Sequence, residues 1–257
     1  MPSVASIKHI IRSNPVIRWS IRLSEALIFG GSIRRAVLTA FLGAHHQSMF
    51  RRKWWWWSYG EPHFTDQSIT FWRLYRGNMG QGVYSLARAF YAAEHVKHGN
   101  CVLDIGCGDG GITKRCLAPR AARVDAIDVE PSAISIALRT NAAPNIFYQV
   151  LDAISQELPK ESYDVVVMDG VLGHLSKPDS ETLFKKIAGL IGRDGVFVGS
   201  ESLGQDGADH LQIFDRIENL QELLGMSFSR VETKVSEYTL SSAYKRTEAY
   251  WSCRNDR

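Results

Sequence analysis

The stretch Val102-Leu103-Asp104-Ile105-Gly106-Cys107-Gly108-Asp109-Gly110 decides how the rest of the chain is read. Residues 102–105 form an apolar run carrying one acid and read as a short buried strand. Glycines then alternate through a tight turn, and the chain from Gly111 onward reads as a helix. Glycine admits backbone dihedrals closed to other residues and lets a ligand approach the main chain. A helix amino terminus behind such a turn offers unpaired N–H groups and a positive dipole end. That geometry suits a nucleotide-like cofactor.

Working outward, strand and helix patterns alternate from residue 101. A second strand over 124–127 closes on Asp128, and Pro131 suits the first turn of a following helix. A third strand over 146–151 ends at Asp152-Ala153. The fourth, 163–168, is apolar throughout Val165 to Met168, as a central parallel strand should be, and runs into Asp169-Gly170. Ser176 with Asp179 resembles a capping box for a helix over 180–190. A fifth strand is expected over 195–199, a helix over 210–224, and a closing strand pair over 228–235 and 249–253. Such alternation gives right-handed crossovers. The fold class expected is α/β, a doubly wound Rossmann-like seven-stranded sheet with an antiparallel last strand and an N-terminal helical extension. Ligands bind such sheets beyond the carboxyl ends of the strands, so the polar residues there carry the information.

Gly106, Gly108 and Gly111 also satisfy the dinucleotide pattern G-x-G-x-x-G. Asp104 weighs against that reading, since a carboxylate two residues before the first glycine repels a pyrophosphate. It suits a cofactor bearing an ammonium and a sulfonium. The stretch resembles motif I of the class I S-adenosylmethionine (SAM) methyltransferases, apolar-apolar-Asp-apolar-Gly-x-Gly-x-Gly, at every position. The resemblance covers residues 99–200, with 201–257 following by pattern. It implies that Asp104 fixes the methionine ammonium end, while Gly106, Cys107 and Gly108 let the cofactor lie against the chain. Asp128 would hold the ribose, Asp152 the adenine amine, and Ala153 the ring through its N–H. Asp169 and Gly170 would face the methyl group.

An alcohol nucleophile must also lose its proton, a task suited to a histidine. His174 lies just past the fourth strand, in Val171-Leu172-Gly173-His174-Leu175, where the family often carries Glu-His-Leu; Gly173 replaces the Glu. His210 follows the fifth strand. Either is a candidate base or a packing residue. The Asn/Asp-Pro-Pro-Tyr signature of adenine-methylating nucleic-acid enzymes is absent. The segment after the fourth strand resembles the small-molecule enzymes, including the ubiquinone-pathway O-methyltransferases. The expected acceptor is therefore a small-molecule hydroxyl on a glycan, lipid-linked or quinone-like intermediate. A non-catalytic scaffold is the competing class, although a scaffold has no need of Asp104 and Asp128 together.

Three segments are expected: a basic extension over 1–60, a helical cap over 61–98 and the SAM-binding domain over 99–257. The net charge of +3 over 257 residues is unevenly spread: residues 1–60 hold nine Lys or Arg against one acid, Glu25. That arm is amphipathic over 16–29, and Arg51-Arg52-Lys53 precede Trp54 to Trp57. Such a segment suits an anionic membrane surface or a lid over the substrate. The expected location is cytoplasmic, with peripheral membrane attachment, and an arginine-rich, acid-poor arm also fits a mitochondrial presequence. Nucleic acid is a poor partner, because the remaining domain is acidic. The four cysteines form no C-x-x-C pair and have no matched histidine spacing, so no metal site and reduced thiols are expected.

Overall fold

The computed structural model describes residues 83–204, 210–241 and 244–255. The expectations for 1–60, and those for 61–82, lie outside the described residues. Helix α1 spans Val83–Glu94 and leads into β1, Cys101–Ile105. Then come β2 (Arg123–Asp128), α2 (Pro131–Thr140), β3 (Ile146–Val150) and β4 (Tyr163–Asp169). After these stand α3 (Lys177–Leu190), β5 (Ile191–Leu203), α4 (Ile217–Gly225), β6 (Arg230–Ser241) and β7 (Tyr244–Arg254).

The strands form one seven-stranded sheet in the order β3-β2-β1-β4-β5-β7-β6. The first five are parallel; β7 runs antiparallel to β5, and β6 folds back on β7 as a hairpin. The order reverses between β1 and β4, which opens a crevice beyond their carboxyl ends. Period-two alternation sends Val102, Val124, Val165, Val167 and Val198 to one face, with Ala92 and Ala137. Leu103, Ile127, Val166, Phe197 and Trp251 pack on the other face, beneath Leu183, Phe184 and Ile187 of α3 and Leu220 and Leu224 of α4.

Local signals placed the helix starts. Glu130 caps α2 by accepting from the Ser132 N–H, with Pro131 in the first turn, and Ser176 caps α3 by accepting from the Asp179 N–H. Helix α3 therefore begins at Lys177, three residues before the expected 180. The helix expected from Gly111 begins there and widens over Thr113–Leu117, closed by the Ala118 N–H on the Thr113 carbonyl. One expectation needs correction. The helix expected over 210–224 begins only at Ile217, because Leu211 and Gln212 donate their N–H groups to the Gly173 carbonyl instead of to a helical turn. On α1 the buried stripe runs through Ala89 and Ala92, and Phe90 is exposed. The helix turns Arg88 and Tyr91 toward polar groups of the sheet rather than presenting the most apolar stripe. None of the described helices is long and apolar enough to cross a membrane.

At the centre of the sheet Gly199 pairs with Met168 on one side and Trp251 on the other. A Cβ there would overlap both the Met168 carbonyl and the Trp251 ring. Gly199→Ala should therefore cost about 1–3 kcal/mol of stability, read as a lower midpoint in chemical denaturation. Adding Trp251→Phe should not restore it, since the Met168 carbonyl belongs to the main chain and cannot retreat.

Candidate cofactor and acceptor site

The glycine turn is built on backbone that only glycine adopts cheaply: φ is +73° at Gly106, +56° at Gly108 and +74° at Gly110. The Gly106 and Cys107 N–H groups donate to the Ile127 carbonyl at 2.8 and 3.0 Å, pinning the turn to the end of β2. Gly108 donates to Asp128 Oδ2 at 2.8 Å, and the Glu130 N–H donates to Oδ1 at 2.9 Å. Asp128 thus ties the turn to the start of α2, in addition to the ribose role expected of it. Behind the turn, Tyr148 donates to the Asn141 carbonyl at 3.0 Å, and Asn141 Nδ2 to the Asp109 carbonyl at 2.7 Å.

Asp104 lies under this turn, 5% exposed, accepting from Thr113 Oγ1 at 2.6 Å. Burial pushes its carboxyl up to about 7; the Thr113 hydrogen bond opposes that, and the charges of Asp169 and Asp128 reinforce it. No cation among the described residues pairs with it. A buried carboxylate short of positive charge, beneath a turn that brings the main chain close, fits a cofactor carrying an ammonium group. Cys107 is buried, and its thiol is pushed well up by that burial.

Asp152 and Ala153 follow β3. The Asp152 carboxylate closes its own turn, accepting from the Ile154 N–H at 2.9 Å and from Ser155 Oγ at 2.6 Å. Partial burial would raise its carboxyl, but those hydrogen bonds outweigh it and hold it low. Ala153 is buried and its carbonyl accepts from Lys186. Asp169 and Gly170 sit at the end of β4, where sequence reasoning missed a neighbour: Arg88 of α1 donates through Nε to Asp169 Oδ1 at 2.7 Å. Ser200 also donates to that oxygen. Gly170 has φ +66°, and a Cβ there would overlap the Arg88 guanidinium, so glycine gives the cation its place.

The two candidate bases come together. His174 ends a short turn over Leu172–His174, and its ring meets that of His210 edge-on, centroids 5.0 Å apart. Gly173 makes this possible, since a Cβ there would stand 3.0 Å from His210 Nδ1. A carboxylate still reaches the turn: buried Glu201 of β5 accepts from the Gly173 N–H at 2.7 Å and the Ser202 N–H at 2.9 Å. Arg88, Glu201 and Glu248 are the site residues that sequence reasoning missed. Glu201 and Glu248 lie just beyond the strands expected over 195–199 and 249–253, and Arg88 within the expected helical cap, so no local pattern marked them as buried.

A parallel sheet with a glycine turn after β1, an acid ending β2 and an antiparallel closing strand defines the class I, Rossmann-like methyltransferase fold. Residues 102–195, from β1 to the start of β5, match the family model described as a methyltransferase domain. An uncharacterised methyltransferase of Mycobacterium tuberculosis is 35% identical over 96 residues, 37% of this chain and 47% of that protein. The mitochondrial ubiquinone biosynthesis O-methyltransferase of Schizosaccharomyces pombe is 30% identical over 126 residues, 45% of each chain. The chain spans about half the length of the curated relatives it matches. Among solved structures, the N-methyltransferase NodS of Bradyrhizobium japonicum with S-adenosylhomocysteine superposes with a TM-score of 0.53 at 21% identity, covering 67% of this chain and 87% of that one. That likeness is one of fold.

The raised Asp104 carboxyl sets a pH dependence. Between the ordinary carboxylate range and about 7, the folded protein keeps a proton that the unfolded chain has released. The stability of the cofactor-free fold therefore declines as pH rises through that window. Asp104→Asn keeps the Thr113 partner and removes the buried charge, so at roughly pH 8 it should stabilise the cofactor-free protein by about 1–3 kcal/mol in thermal or chemical denaturation. The same variant should bind SAM more weakly, and should lose the tightening with rising pH expected of the native protein near neutrality.

Proposed function

We propose that the protein transfers a methyl group from SAM to a small-molecule acceptor. The observation that carries this reading is the buried Asp104 carboxylate beneath three left-handed glycines, with Asp128 bridging the turn to the next strand end. When bound, the cofactor supplies an electrophilic methyl carbon and a neutral thioether leaving group. The protein's part is alignment, exclusion of water and management of one proton. Asp104 would hold the ammonium end, Asp128 the ribose, and Asp152 with Ala153 the adenine. The chain from Asp169 to His174 borders the acceptor. A scaffold that never bound the cofactor would gain nothing from an uncompensated buried carboxylate at that position.

His174 and His210 are the candidate bases. Their edge-on contact supports a role as a pair, one ring taking the acceptor proton while the other fixes its orientation. The hydroxyl expected from the sequence needs such a base, and so does an ammonium nitrogen, which must shed a proton before its lone pair can attack. The similar proteins include an O-methyltransferase and an N-methyltransferase, and each name belongs to its own protein. The reading is tested by calorimetry with SAM: binding is expected, and Asp128→Ala should weaken it by roughly 1–3 kcal/mol. Replacing both histidines by Gln should leave that affinity unchanged while flattening the fall in rate toward acid pH. A protein that does not bind SAM is not this enzyme.

Residues 1–60 enter the proposal as an anionic-surface anchor on a cytoplasmic, peripheral membrane protein. Each cation near an anionic leaflet contributes about 1 kcal/mol, and Trp54 to Trp57 add apolar contact. In liposome flotation at low salt, the full chain should rise with anionic vesicles and a chain lacking 1–60 should not. High salt should weaken the attachment as screening shortens to about 3 Å at 1 M. A full chain that stays in the soluble fraction leaves the lid reading.

A further inference from the structure

Along β5, Val196 and Val198 pack on the face that carries Ala92 of α1, and Phe197 and Leu203 on the other. Alternation puts Glu201 in the second set, where it is buried. A carboxylate in such a place is costly unless its oxygens are hydrogen-bonded. Here Oε2 accepts from the Gly173 N–H at 2.7 Å, and Oε1 accepts from the Ser202 N–H at 2.9 Å. Gly173 is engaged through its carbonyl as well, accepting from the Leu211 N–H at 2.7 Å and the Gln212 N–H at 3.1 Å. Through this one residue the β5 carboxylate is joined to two segments, the turn that carries His174 and the stretch that carries His210.

The second segment has further anchors. Gln212 Nε2 donates to the Leu175 carbonyl at 2.8 Å and to Ser180 Oγ at 2.7 Å. The Gly204 N–H donates to the Phe214 carbonyl at 2.9 Å, and Phe214 is buried. His210 sits at the end of these contacts. A Cβ on Gly173 would stand 3.0 Å from its Nδ1 and 3.1 Å from its Cε1 and Cγ, so the glycine faces the flat of the imidazole. The same ring meets that of His174 at close to a right angle. Gly173 therefore sets where the His210 ring lies, and Glu201 sets where Gly173 lies. A carboxylate is a poor choice here for stability alone, because desolvation offsets much of what its hydrogen bonds return. For position it is a good choice: its charge strengthens both bonds, and its rigid fork fixes the spacing of the two N–H groups.

Resting on the methyltransferase reading above, we propose that Glu201 is a positioning residue for the histidine pair. Acting through Gly173, it holds the His210 imidazole against His174 in the arrangement that takes the acceptor's proton. That proton moves from the acceptor heteroatom to an imidazole nitrogen, and Glu201 neither gives nor receives one.

The test uses the full-length protein, with SAM affinity measured first. Methyl-labelled SAM is incubated with a small-molecule extract, and the label transferred is expressed per SAM-binding site, so that loss of folded protein does not count. Glu201→Gln should slow transfer about tenfold or more while SAM affinity is held. With both histidines replaced by Gln, the same change should cost nothing more, since residues that act as one unit are not additive. In NMR of protein carrying ring-labelled histidine, Glu201→Gln should also move the His174 and His210 resonances, although neither ring is its hydrogen-bond partner. Gly173→Ala keeps the N–H that Glu201 accepts and presses on the His210 ring, so it should slow transfer too; it carries the test if the Glu201 variant does not fold. Unchanged transfer in these variants, or an equal loss with and without the histidines, overturns the positioning role. Histidine resonances that stay in place in Glu201→Gln overturn it as well, and that arm needs no acceptor. A protein that fails to bind SAM, or binds it and labels nothing, overturns the reading beneath, while the resonances still decide whether Glu201 holds the pair.

Discussion

The hydrogen bond from the Gly108 N–H to the Asp128 carboxylate joins the two strand ends between which the site is built. The glycine turn follows β1 and the acid ends β2, so neither element could hold the crevice open alone. The other Asp128 oxygen accepts from Glu130, which itself caps α2, so one side chain sets both the turn and the direction of the next helix. Tyr148 and Asn141 hold the turn from behind, their side chains donating to main-chain carbonyls. The main chain is thereby left in a conformation it would not keep in isolation, ready for close approach of a ligand.

Beneath that turn the fold tolerates an electrostatic cost. Asp104 is buried among other acids, and the cofactor-free protein answers by holding a proton on it at pH values where a free carboxyl would be charged. Stability and binding are set against each other at this residue. The charge that weakens the empty fold is the charge a cationic ligand needs, and its removal favours one property at the expense of the other.

The crevice has two unlike halves. Over β1 and β2 it is glycine and acid, with main-chain groups doing much of the hydrogen bonding. Over β4, β5 and β7 it is a network of Arg88, Asp169, Ser200, Arg246 and Glu248, opened to solvent at Arg88 and Asp169. Buried ion networks of this kind add little net stability, because desolvation offsets much of the attraction. Their value lies in fixing which charges a ligand meets. On the opposite side of the β5 end, Glu201 secures the turn that carries His174.

The five parallel strands, the closing hairpin and the glycine turn were legible in the sequence because each is a local pattern: alternation, an apolar run, or glycines where φ must be positive. The first turn of α2 at Pro131, and capping at Ser176 with Asp179, were legible in the same way. The reading failed where a distant partner overrode a local preference. Residues 210–216 carry no helix because the Gly173 carbonyl, far away in the chain, takes the Leu211 and Gln212 N–H groups. Helix α1 turns Arg88 inward because Asp169 and Glu248 await it on two other strands.

By itself, then, the sequence determined the sheet, the turn and the acids at the strand ends, all of which depend on backbone preferences within a few residues. Only the tertiary structure decided that His174 and His210 meet, that Arg88 lies over Gly170, and that Glu248 is buried with an oxygen unpaired. Those facts depend on groups separated by tens of residues in the chain. Their energies arise from desolvation and charge pairing that no local pattern encodes.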